Sequence, residues 1–385
     1  MAGYIFNLNS YEALQNYASY GVYATILKEP TKQGRWPRYH EATFADYCTM
    51  KKGDNVYFFF DRRIYGVGEL TVVQGDCKFC NFPDACLPRK FDYQHVHPHL
   101  LWDEGERSVG QRWLCVFKPS PYFFKTGLDM DDVLSSNPTA FKMLRVFWKV
   151  SFIKLDDREN QALKDVLLKV NQEALKNPLS GQNVFPADFE QKHNEIAAKI
   201  TTNYYLQIAP ILDSCASNNK LTHEMALEAG ILYQLTQTNP STVQVFGEWD
   251  YLSHQVVASP FKPVDYMDKM DIFGYSFLTG FEPTRVRYLV VEVKTERATK
   301  EDIDQLLKYV DWVKDEYCFG DYSMIHAFLV AHRFPDRVKK YALDYARRYY
   351  TIGRRPARSE KWDNLRLVQY RYDNTAKRLR FTIVP

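Results

Sequence analysis

The run Tyr288-Leu289-Val290-Val291-Glu292-Val293-Lys294 constrains this chain more than any other segment. It is apolar and β-branched enough to form a strand, yet it ends on a carboxylate and an ammonium group. Side chains alternate along a strand, so Glu292 and Lys294, two apart, project to the same face while their apolar neighbours are buried. Any fold that hosts this segment sets an anion and a cation side by side. As an isolated motif, an exposed Glu-x-Lys on a strand is a surface ion pair worth little.

The residues on either side make more of it. Asp271 opens a second strand-like run, Asp271-Ile272-Phe273-Gly274-Tyr275, which can pair with the Glu292 strand through a loop holding Thr279, Gly280 and Pro283. The two carboxylates then meet at one strand end. Phosphodiester hydrolysis needs a metal ion to offset charge on the phosphoryl oxygens and to lower the pKa of an attacking water. Magnesium, or manganese in its place, takes hard oxygen ligands and needs only one or two carboxylates. Asp271 and Glu292 supply that minimum, and Lys294 can hold the water or offset developing charge. Downstream, Gln305 and Tyr309 stand four apart on one face of a helix running from Lys300 to Glu316.

The ordered set Asp271, Glu292, Lys294, Gln305, Tyr309 resembles the PD-(D/E)XK nuclease superfamily, in particular its RecB-like and NucS-like branches. The likeness covers roughly Leu221 to His332, and Met270 stands where the motif's proline is usual. The resemblance implies a restriction-endonuclease-like mixed sheet flanked by helices. It also implies a further acidic metal ligand on a helix ahead of the first core strand. Glu228 is the candidate, with Glu224 and Glu248 as rivals.

The first part of the chain is aromatic and strand-rich. Gly53 to Phe60 runs into Arg62 to Leu70 as a hairpin, further strands are expected at Trp113–Pro119 and Arg145–Ile153, and a short helix begins near Met130. The stretches 50–59, 65–69 and 152–160 are similar to the EVE and YTH branch of PUA-like domains, which implies a β-barrel and an aromatic pocket for a modified or flipped base. Trp36, Tyr65, Trp102 and Trp113 are the pocket candidates, although any of them can equally be core. Cys77-x-x-Cys80 followed by Cys86 has zinc-knuckle spacing, with Cys115, His95, His97 or His99 able to complete it. A second Cys-x-x-Cys is missing, so unlinked thiols or an iron–sulfur cluster are the other readings.

Between and beyond these parts, helical spacing marks Arg158–Lys176, 189–212 and 222–237. Asn177 to Asp188 is the linker candidate. Strands are expected at Val243–Trp249, 271–277 and near 323–331, a helix at Arg337–Tyr350, and a terminal strand pair at 365–372 and 378–384. The expected organisation is therefore α/β and α+β in several domains: a PUA-like sensing domain over 1–176, a linker and helical connector over 177–220, and a nuclease domain with a basic tail over 221–385.

Composition bounds the function. With 385 residues the chain exceeds one ordinary core, and no apolar stretch is long enough to span a bilayer. The N-terminus lacks the features of a secretory signal, and seven unevenly spaced cysteines suggest free thiols in a reducing, cytoplasmic setting. Residues 320–385 hold fifteen Lys/Arg against six Asp/Glu, whereas the whole chain carries only +3. Such a tail suits a polyanion, although a solvated basic face is the plainer reading. The function expected is a magnesium-dependent DNA endonuclease of a restriction or antiphage-defence type, acting as a dimer or higher homo-oligomer, whose first domain senses modified or flipped bases. A binding protein with a degenerate nuclease fold and an RNA-cleaving nuclease are the alternatives. His254 and His332 read as structural.

Overall fold

The computed structural model describes the chain except residues 33, 38, 147–151, 178–181 and 260–267. Two compact units are present: one formed by 1–31 and 50–207, the other by 32–49 and 208–385. The segment 32–49, early in the sequence, thus belongs to the second unit.

The first unit is built on a curled mixed sheet. Its strands are β1 (Gly3–Asn7), β2 (Val22–Ile26), β3 (Asn55–Phe60), β4 (Arg63–Leu70), β5 (Lys78–Cys80), β6 (Gln111–Pro119), β7 (Leu128–Asp129) and β8 (Phe152–Leu155). They run in the order β2-β6-β4-β3-β1-β8, with β5 on β6 and β7 on β4. The β3–β4 hairpin turns on Asp61 and Arg62, both at positive φ, the backbone that matches strand twist in a two-residue turn. Tyr57 donates to Asn160 at 3.0 Å and Asn160 to Asn55 at 2.9 Å, which satisfies the polar groups buried behind this sheet.

The Asp157–Val170 helix starts where the Asp156 carboxylate accepts from the backbone N–H groups of Arg158 and Glu159. It stops before the expected Lys176. Buried Asn171 donates its side chain to the Leu167 carbonyl at 3.0 Å and separates this helix from a short one at Gln172–Lys176. In the expected linker, 178–181 lie outside the described residues, and Phe185 hydrogen-bonds back to Phe123 within the first unit. The strand expected over 145–153 is described only as a turn at Leu144–Val146 and as β8, since 147–151 lie outside the described residues. The expected helical stretch 189–212 divides into helices at Phe189–Lys199 and Ala209–Cys215, one in each unit.

In the second unit a small pair, β9 (Ala216–Ser217) and β10 (Lys220–Leu221), precedes the Glu224–Thr236 helix. The strand expected at Val243–Trp249 is instead a helix, Pro240–Phe246. Asn239 caps it by accepting from the Thr242 N–H, and Pro240 occupies its first turn. Those start signals outweigh the β preference of Val243 and Val245.

The main sheet consists of β11 (Tyr251–Val257), β12 (Lys269–Phe277), β13 (Arg285–Arg297), β14 (Ile325–Arg333), β17 (Leu365–Asp373) and β18 (Arg378–Val384), hydrogen-bonded in that order. β13–β14 and β14–β17 are parallel, and the other pairs are antiparallel. A separate hairpin joins β15 (Arg348–Ile352) to β16 (Arg358–Trp362). The centre of β13 and β14 is fully buried from Leu289 to Val291 and from Ala327 to Ala331, as central strands covered on both faces require.

Gly274 lies in β12 where β11 passes close by, and a Cβ there would sit 2.7 Å from the Tyr251 carbonyl oxygen. A strand backbone cannot yield as a side-chain tip can. Gly274→Ala therefore destabilises the second unit by about 1–3 kcal/mol, measurable as a lower urea midpoint for that unit; an unchanged midpoint would contradict the packing described.

Candidate active site

The site grows out of the β12–β13 register. Ile272 pairs with Val291, so one step along each strand Asp271 stands across from Glu292, and opposed residues of an antiparallel pair share a face. Lys294, two further on, joins them. Asp271 Oδ2 accepts from the Val293 N–H at 2.8 Å. Lys294 Nζ donates to Glu292 Oε1 at 2.8 Å and lies 3.5 Å from Glu224 Oε1.

The Glu224–Thr236 helix adds Glu228, which is 2% exposed. The Gln255 amide links its carboxylate to Asp271, donating at 3.1 Å to both Glu228 oxygens and at 3.3 Å to Asp271 Oδ1. Gln255 reaches this position from β11 with φ +51, a costly conformation for a non-glycine residue and a kind of strain that collects at functional sites. On the other side of Glu228, His254 Nδ1 is 3.6 Å from Glu228 Oε2 and Nε2 is 3.1 Å from Asp46 Oδ2. Asp46 comes from the Tyr39–Cys48 helix, part of the early segment.

Three carboxyl groups close to one cation give unusual acidities. Burial, then Glu228 and Glu292, hold Asp271 well above the carboxylate range, against the Val293 N–H and Lys294. Burial raises Glu292 to about 6 despite Lys294. Lys294 is raised: its burial alone would lower it, but Glu292, Glu224 and Asp271 prevail. His254 behaves likewise, burial being outweighed by Asp46 and Glu228, and reaches about 10. It is an imidazolium held between two acids.

Gln305 and Tyr309 meet as helix spacing predicts, Gln305 Nε2 donating to the Tyr309 hydroxyl at 2.7 Å. Tyr309 is pushed up to about 12 by burial, with Glu292 and Asp271 adding to it, so it lies within their field. Glu248 is not part of the site. It sits at the far end of the β11–β12 pair, where Tyr251 opposes Tyr275 and the Ser276 hydroxyl bonds its carbonyl.

These residues fit a hard divalent cation. Every donor is oxygen, and Glu292 Oε2 is buried with no hydrogen-bond partner. Among the described residues, the one set of three His, Cys, Asp or Glu ligand atoms mutually within 4.8 Å lies elsewhere, at Glu41, Cys215 and His223. Asp271 and Glu292 could hold the ion, which is enough for magnesium with its remaining positions filled by water and substrate oxygens, and Glu228 is linked to Asp271 through Gln255.

The other sequence candidates are spread more widely. Trp36 is buried in the second unit, edge-on to His40 at 4.8 Å. Tyr65, Trp102 and Trp113 are in the first unit and all under 8% exposed. Trp102 donates to Glu104 at 2.9 Å, and Trp113 is wholly enclosed. All seven cysteines are free and buried. Cys80 and Cys86 bring their sulfurs to 3.5 Å, but Cys77 does not join them, because the Cys77–Cys80 stretch runs into extended β5 and residues three apart there face opposite ways. His95, His97 and His99 are exposed, with His95 and His97 beside Asp92 and Asp103. His332 packs edge-on against Tyr370. In the basic tail Arg348 is bound at both ends to Asp311, and Lys377 pairs with Asp213, while Arg354, Arg355 and Arg358 are exposed. No helix among the described residues is long and apolar enough to cross a membrane.

No protein-family model matches the chain, and no curated protein matches it. Among solved structures, the crystal structure of a repair endonuclease from Pyrococcus abyssi is similar at 23% identity over 31% of this chain, with a TM-score of 0.21. The chain spans 43% of the length of that protein.

Two outcomes follow from the electrostatics. Glu292 has a folded pKa above its usual 4.5, so its contribution to stability is fully present below about pH 4.5 and is lost as pH rises through about 6; Asp271 shifts in the same direction. In metal-free buffer the unfolding midpoint therefore falls across that window, Glu292→Gln flattens the fall, and manganese restores the midpoint at neutral pH; a wild-type slope in the variant contradicts this. Removing the imidazolium leaves Asp46 and buried Glu228 without their cation, so His254→Ala costs roughly 3–5 kcal/mol of stability in denaturant titrations.

Proposed function

We propose that the second unit is a divalent-metal-dependent phosphodiesterase that cuts DNA, with the PD-(D/E)XK arrangement as its active site. The observation that carries this reading is the convergence of Asp271, Glu292 and Lys294 on one face, with a buried Glu292 oxygen that has no hydrogen-bond partner. The central parallel strands flanked by antiparallel ones also suit a restriction-endonuclease-like sheet.

In this reading Asp271 and Glu292 hold magnesium or manganese, which supplies charge neutralisation at the phosphoryl oxygens and an acidified water. Lys294 positions the nucleophilic water and faces the developing negative charge. Glu228 orients the Gln255 amide against Asp271, and His254 keeps Glu228 in place. Gln305 and Tyr309 brace the far side, where a substrate backbone passes. The exposed arginines 354, 355 and 358 offer phosphate contacts independent of base sequence.

The first unit, in the same proposal, is a PUA-like sensor of modified or flipped bases, which makes the whole a restriction or antiphage-defence nuclease. Its buried aromatics would need a side chain to swing aside before a base could stack. Assembly as a dimer would let two single-site protomers cut both strands.

The test is incubation of the full chain with plasmid DNA, modified phage DNA and RNA, with and without magnesium. The expected result is magnesium-dependent nicking of DNA, reduced at least roughly a hundredfold by Asp271→Asn or Lys294→Ala while folding and DNA affinity persist. Salt-sensitive binding without nicking points to a degenerate nuclease, cleavage confined to RNA moves the substrate class, and undiminished nicking by both variants removes the site.

A further inference from the structure

We infer that Glu41, Cys215 and His223 form a second metal site in the same unit, one that takes zinc and serves as a structural staple. Three side chains from three separate places meet there. Glu41 belongs to the Tyr39–Cys48 helix, Cys215 ends the Ala209–Cys215 helix, and His223 is the residue from which the Glu224–Thr236 helix starts. One ligand atom from each lies within 4.8 Å of the others. His223 Nδ1 is 3.2 Å from Glu41 Oε1, and Cys215 Sγ is 3.8 Å from the same oxygen. Tetrahedral ligands at zinc bond lengths of about 2.0–2.3 Å sit roughly 3.3–3.6 Å apart, so the atoms stand near the required separations.

The chemistry agrees with the spacing. Glu41 is 0% exposed and its Oε2 has no hydrogen-bond partner, while Cys215 is 3% exposed. A carboxylate oxygen left without a partner in such a place is costly. A thiolate, a carboxylate and a neutral imidazole around a dipositive ion sum to zero charge, which is the form a buried site tolerates. Sulfur and nitrogen donors beside one carboxylate select zinc over magnesium or calcium. Burial, then the Glu41 carboxylate, push the Cys215 thiol up to about 12 against Arg35, so without an ion the sulfur keeps its proton. On binding, the Cys215 thiol, which now donates to the Ile211 carbonyl at 2.9 Å, gives up its proton to solvent and its sulfur becomes a ligand. The His223 side chain, 24% exposed, leaves one side open, where a water completes four-coordination.

The position explains what such an ion would do. It would fix the early segment, which also delivers Asp46 to His254, against the first turn of the helix that carries Glu224 and Glu228. The bond spans more than 170 residues of sequence, and closing a long loop is where a cross-link gains most in principle. The site contains no residue of the acidic pair and stands whether or not the unit cuts DNA.

The experiment is cobalt substitution of the chelator-stripped full chain. A sulfur-to-cobalt charge-transfer band at one equivalent, reversed by one equivalent of zinc, is expected in the wild type and in a Cys80→Ser/Cys86→Ser variant. It is expected to vanish in Cys215→Ser. Glu41→Gln, which preserves shape, should weaken cobalt affinity by at least about tenfold. The absence of a band in both the wild type and the Cys80/Cys86 variant overturns the proposal and leaves an ion pair between His223 and Glu41. So does a band that survives Cys215→Ser, or an affinity unchanged by Glu41→Gln. Because the acidic pair contains no sulfur, cobalt bound there gives no such band.

Discussion

The second unit is organised around an electrostatic deficit. Asp271, Glu292 and Glu228 converge inside a sheet–helix interface with Lys294 and a shared His254 as their cations. Burial weakens the solvation that would otherwise support the charges of Asp271 and Glu292, and the acids beside them raise their pKa values further. Protons, hydrogen bonds or a divalent ion must make up the difference. Hydrogen bonds do so in part: the Val293 N–H and the Gln255 amide bind Asp271, and Lys294 binds Glu292. One Glu292 oxygen has no donor, and Asp271 stands within reach to share a proton with that carboxyl group.

The fold serves that arrangement. Antiparallel pairing of β12 with β13 is what puts Asp271 opposite Glu292, and the parallel neighbour β14 buries the strand that must hold both Glu292 and Lys294 in a single geometry. The Glu224–Thr236 helix is apolar almost all round, with Ala226, Leu227, Ala229, Ile231 and Leu232 all buried, so Glu228 is rigidly presented and not free to swing into solvent. His254 and Asp46 then hold Glu228 from behind. The early segment 32–49 thus supplies the second unit with the acid that pairs with His254.

Much of this is legible in the sequence because it depends on short spacings. Two residues apart on a strand fixes Glu292 beside Lys294, and four apart on a helix fixes Gln305 against Tyr309, whatever the rest of the chain does. Glu228 is narrowed to one of three acids by its place on a helix, and structure separates it from Glu248 by strand register alone. Gln255 carries no signal, since its role rests on one residue at φ +51. The partnership of His254 with Asp46 joins positions about two hundred residues apart, which local patterns cannot report. The same reason hides the meeting of Glu41, Cys215 and His223, and draws attention instead to Cys77, Cys80 and Cys86, whose close spacing is undone by extended backbone. At Val243 the β-branched residues favour a strand, and a helix start at Asn239-Pro240 prevails.

The most direct measurement is anomalous diffraction from crystals soaked in manganese. A manganese peak bridging Asp271 and Glu292, at roughly 2.0–2.2 Å from their oxygens and including the otherwise unpartnered Glu292 Oε2, is the predicted result. A fully occupied manganese elsewhere, or none, with Asp271 and Glu292 sharing a proton in its place, would contradict the claim that this buried pair exists to hold a cation.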